Sequence, residues 1–424
     1  MQERNWAGNL TYAAGSVESP TSVSEIQEIV RRSEHVRTLG TRHSFNDIAD
    51  TTGTLISLAR LDHVLRLDTV SRTVTIEGGV RYGQLGQYLH ARGYALRNMA
   101  SLPHISVAGA CATATHGSGV RNGNLATAVS AFELVTSDGE LDAVSRVTHG
   151  DEFDGMVVSL GALGVVTQLT LDVVPAFLVR QDVYVNLSLA SAIAHFDDIQ
   201  QMAYSVSLFT DWTSGQFAQL WLKRKVDADT PVAAPRELFG ATLATADVHP
   251  LPGLSAESCT AQMGAPGPWC ERLPHFRMEF VPSHGAELQS EYFVPYQHAA
   301  AALEAMVNIG AAIAPTLLVS EVRTIAADSL WMSPCYRSPC VAIHFTWKPD
   351  WIAVRRELPL IESALASFAP RPHWGKLFTM SADEVRSRHE RLPDFRRLVE
   401  EHDPVGKFSN GFVDRYVFGA PVSS

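Results

Sequence analysis

The chain has 424 residues, of which 46% are hydrophobic and 19% charged, and its formal net charge is −11 at pH 7. This length is enough for two domains with cores of ordinary size, and an acidic chain with no lysine- or arginine-rich run is not expected to bind nucleic acid. No segment is long and apolar enough to span a membrane, and no basic region followed by an apolar one precedes the first element, so we expect a cytoplasmic protein with no membrane partner.

The first part of the chain alternates strand-like and helix-like patterns. Ser22 and Glu25 have the spacing of a capping box, and apolar residues then recur at helical spacing, which predicts a helix over residues 22–33. A short strand follows at 36–39 and ends at Gly40. The same criteria predict strands at 54–58, 73–76, 132–136 and 165–174, a helix at 82–92 and a turn at 137–139.

The composition changes near residue 177. From 177 to 376 the chain is richer in Trp, Phe and Pro, and it includes a loop-like stretch at 248–274 with many Gly and Pro residues. This change in composition predicts a second domain, a sheet with helices over it. We therefore expect one domain over 1–176, a second over 177–376, and a C-terminal segment over 377–424 whose loop at 403–410 returns to the first domain.

Several familiar site patterns are missing from the sequence. The chain has no Gly-x-Gly-x-x-Gly after a strand, no Walker loop and no Gly-x-Ser-x-Gly elbow. His389 and Glu390 lack the second histidine of a zinc protease, because Pro393 takes its place. The five cysteines match no zinc spacing, so no metal site is expected. They are expected to be reduced thiols, although Cys335 and Cys340 could bridge in an oxidising compartment.

Two segments rich in glycine and small residues remain, at 39–46 and 101–119. The first follows a strand directly, and a tight turn there would aim several backbone N–H groups into one concavity, which can bind phosphate oxygens. In the second, small side chains let backbone amides approach a flat, charged ligand closely. The spacing suits a diphosphate held between sheet edges, and it also fits ordinary tight turns.

The order of these motifs resembles the FAD domain of the vanillyl-alcohol oxidase superfamily. The segments that carry the resemblance are Gly40-x-x-His43-Ser44-Phe45-Asn46, Gly78-Gly79-Val80, Ser101-Leu102-Pro103-His104, His116-Gly117 and residues 159–167. In the C-terminal part, His373-Trp374-Gly375-Lys376 resembles the aldonolactone oxidase branch. Residues 5–9, 204–212 and 272–276 are similar to members of that branch that oxidise open-chain polyols. Together the motifs cover nearly the whole chain.

The resemblance implies an α+β fold of two domains: an FAD-binding domain of the vanillyl-alcohol oxidase type and a substrate-binding cap domain built on an antiparallel sheet flanked by helices. It also implies that His43 is bonded covalently to the 8α-methyl group of FAD. A neutral imidazole can attack an electrophilic flavin, and the bond is expected to raise the flavin potential. Without the resemblance, His43 is interpreted as a loop histidine that only forms a hydrogen bond. Arg42 departs from the family, which often has glycine there.

The same resemblance assigns residues around the cofactor. They come from the two glycine-rich segments, from a second flavin-contacting turn after residue 159 and from the C-terminal motif. The residues expected to contact FAD are Thr38, Leu39, Gly40, Thr41, Arg42, His43, Ser44, Ser101, Ser106, Gly109, Ala110, Cys111, Ala112, His116, Gly161, Gly164, Val166 and His373. Ala100 is expected near the flavin edge, where it would gate oxygen, so oxidase and dehydrogenase behaviour both stay open.

Candidate substrate-binding residues lie in the second domain. Glu321 and Arg323 alternate along a predicted strand, as do His344 and Thr346, so each pair projects from one face. Two facing strands would bring an acid, a guanidinium, an imidazole and a hydroxyl onto one surface suited to a polyol. An isolated Glu-x-Arg pair is also common on a solvated strand. The resemblance adds Ser101, Gln289 and Lys376 as substrate-binding residues.

The expected reaction is oxidation of a terminal hydroxyl of a small polyol, such as xylitol or sorbitol, to the aldose. Hydride would pass to flavin N5, and O2 would reoxidise the flavin to give hydrogen peroxide. The expected catalytic residues are Arg323 and Lys376, which stabilise the developing alkoxide, and His344, the candidate base, oriented by Glu321. The alternatives are an aldonolactone oxidase or dehydrogenase of the same fold, a flavin-binding protein without turnover, and a hydrolase built on residues 101–118. The protein is expected to be monomeric.

Overall fold

The computed structural model describes residues 3–227, 233–280 and 287–420. Its regular structure is divided about equally between strands and helices. The strands follow one another along the chain as β1 (Ser16–Glu18), β2 (Val36–Leu39), β3 (Thr54–Ser57), β4 (Val64–Asp68), β5 (Thr73–Glu77), β6 (Tyr94–Ala95), β7 (Val129–Val135), β8 (Leu141–Ser145), β9 (Val165–Asp172), β10 (Val174–Pro175), β11 (Leu178–Ser188), β12 (Ser205–Thr210), β13 (Gln216–Val226), β14 (Glu237–Leu238), β15 (Ala241–Leu243), β16 (Gly267–Pro268), β17 (Leu288–Pro295), β18 (Leu317–Ile325), β19 (Cys340–Trp347) and β20 (Arg371–Pro372).

The helices lie in the connections between these strands and after the last of them. In chain order they are α1 (Val23–Arg32), α2 (Tyr82–His90), α3 (Val107–Ala112), α4 (Arg146–Val157), α5 (Leu189–Ala194), α6 (Phe196–Gln201), α7 (Ala299–Ile313), α8 (Trp351–Leu365), α9 (Ala382–Ser387), α10 (Leu392–His402) and α11 (Gly411–Val413). A π-helical turn over Asp414–Phe418 continues the last one. None of the helices in the described ranges has the length and apolar character that a bilayer crossing requires.

Two sheets organise the first part of the chain. Strands β1, β3 and β2 form a parallel sheet in that order, and β4, β5, β9, β7 and β8 form an antiparallel one. Apolar residues of α1, β2, β3, β7 and β9 share one buried cluster with Phe408 of the C-terminal segment. Because β2 ends at Leu39, the first glycine-rich segment begins at the carboxyl end of a strand.

A larger antiparallel sheet is built from strands between residues 178 and 372. Within the described residues it has ten strands, in the order β14-β15-β11-β13-β12-β18-β19-β17-β20, with β16 paired to β11. Helices α7 and α8 contact each other and β17. Every residue of β19 is buried, as expected for a strand covered on both faces. The predicted domain boundaries at 176 and 376 lie close to the ends of this sheet and stay a prediction.

The structure confirms the predicted elements, with shifts of a few residues at their ends. Helix α1 begins after Ser22, whose side chain accepts a hydrogen bond from the backbone N–H of Glu25. The carboxylate of Glu25 accepts from the backbone N–H of Thr21 at 2.7 Å, one residue before the position that a capping box predicts. The strand predicted over 165–174 is divided into β9 and β10. All five cysteines are free thiols, as expected.

A buried arginine joins the first sheet to the C-terminal segment. Arg37, on β2, is 3% exposed and donates to the carbonyl groups of Gly161 and Phe408 at 2.8 and 2.7 Å. It also donates to the carbonyl groups of Ile48 and Leu160. Burial lowers the pKa of Arg37 to about 10, so the guanidinium stays charged at neutral pH. One side chain therefore fixes the relative positions of three segments that are distant in sequence.

We expect Arg37→Met to lower the free energy of unfolding by about 3 kcal/mol or more, because the carbonyl groups of Leu160, Gly161 and Phe408 lose their side-chain donor and that of Ile48 keeps only Asn410. Thermal unfolding measures this as a lower midpoint. Arg66→Met is the matched control, since Arg66 is exposed and pairs with Asp68 at the surface, and its midpoint is expected to stay close to that of the wild type. Equal losses in the two variants would contradict the joining role of Arg37.

Candidate active site

A cavity of about 930 Å³ lies between the first part of the chain and the large sheet. It is lined by the first glycine-rich segment, by residues of the second one, by the turn near residue 160 and by side chains of β17, β18 and β19. The volume is in the upper part of the range typical of small-molecule sites. A cavity of this size, enclosed by segments that are far apart in sequence, is the candidate active site.

His43 lies in the loop after β2 and lines the cavity. Its Nδ1 is 3.1 Å from the hydroxyl of Thr41, and its ring stacks on Trp6 with the centroids 5.2 Å apart. The backbone N–H of Trp6 donates to the carbonyl of Arg42 at 2.8 Å, which fixes the N-terminal segment against this loop. Burial lowers the pKa of His43 to about 4, so the imidazole is neutral at physiological pH and keeps a nucleophilic nitrogen.

Arg42 has a left-handed backbone conformation, with φ of 63°. This region is unfavourable for residues with a Cβ and open to glycine, which explains why glycine is common here in the family that the motif resembles. The guanidinium forms an ion pair with Glu3 at the surface. The loop therefore accommodates the larger residue at a backbone cost of about 1 kcal/mol, and His43 still lines the cavity.

The two glycine-rich segments approach each other at Gly40. A Cβ added there would lie 2.7 Å from the Oγ of Ser106, and one added at Gly109 would lie 2.9 Å from the same atom. The backbone N–H of Ser106 also donates to the hydroxyl of Thr41 at 3.3 Å. A Cβ at either position would displace the Ser106 hydroxyl, and with glycine at both, backbone atoms form this part of the cavity wall.

The loop that carries His43 is tied directly to the segment that carries Lys376. The side-chain amide of Asn46 donates to the carbonyl groups of Trp374 and Lys376, both at 2.8 Å. A primary amide has two N–H donors, and both are used here. Together with the backbone N–H of Phe45, which donates to the carbonyl of Gly375 at 2.8 Å, this side chain holds the candidate flavin loop against the segment of the candidate substrate residue.

The candidate substrate residues lie on neighbouring strands of the large sheet. Strand β18 pairs with β19 so that Glu321 is opposite His344, and β19 pairs with β17 so that His344 is opposite Glu291. Residues opposite one another project from the same face. The sequence analysis predicts two facing strands, whereas the structure puts them side by side, and the antiparallel register brings the side chains together.

A buried carboxylate, Glu291, binds the cations of this face. It is 1% exposed. Its Oε1 accepts from Arg323 at 2.9 Å and lies 3.1 Å from Nε2 of His116, and its Oε2 accepts from Lys376 at 2.7 Å. Burial by itself raises the pKa of this carboxyl group, but the neighbouring Lys376 and Arg323 outweigh it and hold the pKa of Glu291 well below its ordinary value. Glu291 therefore compensates two buried positive charges.

His344 is held by two polar partners. Its Nδ1 is 2.7 Å from Nζ of Lys376, and its Nε2 is 3.2 Å from the hydroxyl of Thr346. Burial, with the charge of Lys376, lowers the pKa of His344 to about 4, so the ring is neutral near pH 7. From the sequence, Glu321 is expected to orient this ring. In the structure Glu321 bonds instead to His275, whose Nε2 is 2.7 Å from Oε1 of the carboxylate.

Sequence reasoning missed Glu291 and His275, although both line the cavity. For Glu291 a signal was present, because strand alternation puts residue 291 on the same face as Gln289, which is a predicted substrate residue. His275 lies in the segment 272–276, outside the predicted strands, and its spacing from other polar residues is not distinctive. Only the folded chain brings it to Glu321.

Of the residues predicted to contact FAD, all but one line the cavity, and so do all the predicted substrate residues. The exception is Cys111, which is 2% exposed and whose Sγ lies 3.7 Å from the hydroxyl of Tyr82. Its neighbours on α3, Gly109 and Ala112, line the cavity. The side chain of Cys111 therefore belongs to the core, because it projects from the opposite side of this short helix.

The fold and the cavity define a class of enzyme that holds an extended cofactor on glycine-rich loops beside a polar substrate site. Residues 15–145 match the family model described as FAD binding domain, and residues 286–416 match that of D-arabinono-1,4-lactone oxidase. The chain is 51% identical to alditol oxidase from a Streptomyces species, over 96% of this chain and 97% of the relative. It is 30% identical to L-gulono-1,4-lactone dehydrogenase from Mycobacterium tuberculosis, over 97% of this chain and 98% of the relative.

Solved structures share the fold at low identity. Cholesterol oxidase from B. sterolicum superimposes with a TM-score of 0.77 over 98% of this chain and 96% of that one, at 12% identity. A solvent-stable cholesterol oxidase gives 0.78 over 98% and 97%, at 14% identity. The predicted α+β, two-domain FAD-binding fold of the vanillyl-alcohol oxidase type is confirmed. The chain belongs to the family of FAD-dependent oxidoreductases that includes alditol oxidase and the aldonolactone oxidases.

The residues around the cavity fit FAD. The backbone wall at Gly40 and Gly109 allows a flat, charged ligand to approach closely. At the other end, the buried side chains of Lys376 and Arg323 supply positive charge next to the polar face of the large sheet. The cavity thus joins a cofactor-binding wall to a site with the hydrogen-bonding groups that a small polar substrate needs.

We expect Glu291→Gln to lower the free energy of unfolding by about 3 kcal/mol, because two buried cations lose a compensating charge. Adding Lys376→Met to this variant removes one of those cations and should restore part of the loss. Denaturant unfolding of the four proteins in this cycle measures a coupling of about 1 kcal/mol or more. Strictly additive losses would mean that Glu291 does not compensate Lys376.

Proposed function

We propose that the protein oxidises a terminal hydroxyl of a small polyol, such as xylitol or sorbitol, to the aldose. The observation that carries the proposal is the polar face at one end of the cavity, where two carboxylates, two cations and an imidazole lie together. When bound, FAD accepts a hydride from the substrate carbon and is reoxidised by O2, which yields hydrogen peroxide. The 51% identity to alditol oxidase over nearly the whole chain supports this choice of substrate.

The polar face offers complementary partners to adjacent hydroxyl groups. Glu321 accepts hydrogen bonds, whereas Arg323 and Lys376 donate them. Ser101 is joined to this face because its hydroxyl accepts from Arg323 at 3.1 Å. Thr346 and Gln289 are opposite each other on β19 and β17 and extend the polar surface along the sheet. We assign substrate binding to these six residues, with the two cations stabilising charge that develops on the reacting oxygen.

His344 and Lys376 can remove the hydroxyl proton as a unit. In the resting site Lys376 is the ammonium group that Glu291 compensates. Loss of one proton, which burial makes easier because it lowers the pKa of Lys376, gives an amine at Nζ that accepts from Nδ1–H of His344. The lone pair on Nε2 can then accept the substrate proton: the O–H bond breaks and an N–H bond forms. In the same step the Nδ1 proton moves to Nζ of Lys376, so an ammonium group forms beside Glu291. The imidazole thus ends neutral, and the positive charge is held by a compensated lysine.

We also assign the covalent attachment of FAD to His43, through the 8α-methyl group. The lowered pKa of His43 supports this assignment, because the attacking imidazole must be neutral. Trp6 stacks on one face of the ring and Thr41 contacts Nδ1, so two neighbours restrict the orientation of the nucleophile. The monomeric state, the cytoplasmic location and the gating of oxygen at Ala100 stay predictions.

Oxidation of a sugar lactone is a second candidate function. Residues 286–416, which include Glu291, Glu321, Arg323, His344 and Lys376, match the family model of D-arabinono-1,4-lactone oxidase. The same polar face would then bind the ring hydroxyls of an aldono-1,4-lactone. The higher identity to alditol oxidase than to L-gulono-1,4-lactone dehydrogenase favours the open-chain polyol.

Acid denaturation tests the covalent bond. We expect the yellow colour to remain with the precipitated wild-type polypeptide and to stay in the supernatant for His43→Ala, because alanine offers no nucleophile. His104→Ala is the control, since His104 also lines the cavity but is not the assigned attachment residue, and its pellet should be yellow. A white wild-type pellet with a yellow supernatant would show that FAD is bound without a covalent bond.

Anaerobic mixing with candidate substrates tests the reaction. We expect xylitol and sorbitol to bleach the flavin absorbance at least tenfold more efficiently than L-gulono-1,4-lactone, because an open chain can satisfy the buried polar groups that a ring leaves unpaired. Stopped-flow spectroscopy measures the rate of reduction. Faster bleaching by the lactone would favour the second candidate function. Bound flavin that stays oxidised with every substrate would identify a flavin carrier instead.

A further inference from the structure

A lysine outside the cavity is bonded to the active site through a histidine. Lys223, on β13, is 1% exposed. Its Nζ lies 2.6 and 2.9 Å from the carbonyl oxygens of Leu273 and Pro274, and 3.2 Å from Nδ1 of His275. An ammonium group has three N–H donors and no acceptor, so these three contacts satisfy it completely. The mechanism described above uses neither Lys223 nor His275.

These contacts decide which nitrogen of His275 carries the proton. Because an ammonium at Lys223 can only donate, Nδ1 of His275 must accept, and the ring proton is on Nε2. Nε2 then donates to Oε1 of Glu321 at 2.7 Å. Burial lowers the pKa of His275 to about 4, so the ring stays neutral and one tautomer is selected.

We propose that Lys223 and His275 are positioning residues that hold Glu321 in place for the substrate by fixing the Nε2–H tautomer of the imidazole. This inference deepens the polyol oxidation proposed above and rests on it. The other carboxylate oxygen of Glu321 lies 3.5 Å from Nε of Arg323, so the carboxylate is held from two sides. It can then accept hydrogen bonds from substrate hydroxyls without first reorienting, which is the advantage of a preorganised site.

The arrangement depends on the proton of Lys223. A neutral amine would accept from Nδ1–H of His275, and Nε2 would then present a lone pair to Glu321, where two acceptors repel each other. Burial lowers the pKa of Lys223 to about 7. At pH values below about 7, His275 therefore donates to Glu321 and holds it in place. As the pH rises through about 7, this hydrogen bond is lost. The other groups whose charges act on Lys223 are Glu321 and Cys259, which raise its pKa, and Arg323 and Arg272, which lower it.

Steady-state oxidation of xylitol by the holoenzyme is the first test. Lys223→Met keeps the length of the side chain and removes its donors, and we expect the KM for xylitol to rise about tenfold while kcat falls less. Lys225→Met is the matched control, because Lys225 is on the same strand and lies over the rings of Phe177 and Tyr204. Its KM is expected to stay within about twofold of the wild-type value.

Two variants of His275 keep the test decisive if Lys223→Met does not fold. The amide of His275→Gln can accept from Lys223 and donate to Glu321, so its KM is expected to stay within about threefold of the wild type. His275→Leu lacks both functions, and its KM should rise about tenfold. A role in packing alone predicts similar KM values for the two variants and would overturn the proposal.

The pH profile separates positioning from packing. In the wild type we expect the KM for xylitol to increase as the pH rises through about 7, where Lys223 loses its proton. In His275→Gln this increase should disappear, because an amide keeps its N–H at every pH. Titration of Lys376 is common to both proteins, so the difference between the two profiles isolates the Lys223 contribution.

The possible failures are distinguishable. If xylitol does not reduce the flavin of the wild type, the proposed function is wrong, whatever the variants do. If the wild type is reduced but Lys223→Met and His275→Leu match its KM, only the positioning role is wrong. Identical pH profiles for the wild type and His275→Gln also overturn that role.

Discussion

The candidate active site depends on one buried carboxylate between two cations. The side chains of Lys376 and Arg323 are only 14% and 6% exposed, and an unpaired charge there would cost several kcal/mol. Glu291 compensates them at 2.7 and 2.9 Å, so the site can hold positive charge next to a flavin without losing its fold. Burial, together with the charge of Lys376, lowers the pKa of His344 to about 4 although Glu291 acts in the opposite direction, so the ring stays neutral near pH 7. The acid–base properties of the site therefore follow from how its charges are balanced.

Distant segments are held together by a few side chains that bond to backbone carbonyl groups. Asn46 joins the loop of His43 to the segment of Lys376, and Arg37 joins the first sheet to the turn near 160 and to the C-terminal segment. Lys223 makes the same kind of contact with the loop that carries His275. Each is buried or partly buried, so loss of one bond leaves a polar group without water. Because losing such a hydrogen bond costs free energy, the loop of His43 keeps a defined position relative to the polar face of β17, β18 and β19.

Local elements were predictable, because their determinants are local. Periodicity and turn residues located α1, α2 and the strands β2, β3, β5, β7 and β9, but not β1, β4, β6, β8, α3 or α4. In the located elements the errors lie at the ends, as where Glu25 caps Thr21 instead of Ser22. The glycine-rich segments were also recognisable, since close backbone approach requires small residues. The side chain of Cys111 lies in the core, because sequence does not reveal which side of a short helix faces the cavity. Glu291 and His275 were missed because their partners lie on other strands and loops.

The sequence by itself determined the family fold, the cofactor class and the identity of many residues that line the cavity, because these depend on motifs and on their order along the chain. The tertiary structure alone decided which charges meet. The register of β17, β18 and β19 puts Glu291, His344 and Glu321 in one row. A loop brings His275 into contact with both Glu321 and Lys223, which is on β13 of the same sheet. Such contacts depend on pairing between strands and on burial, and no spacing within the linear sequence specifies either.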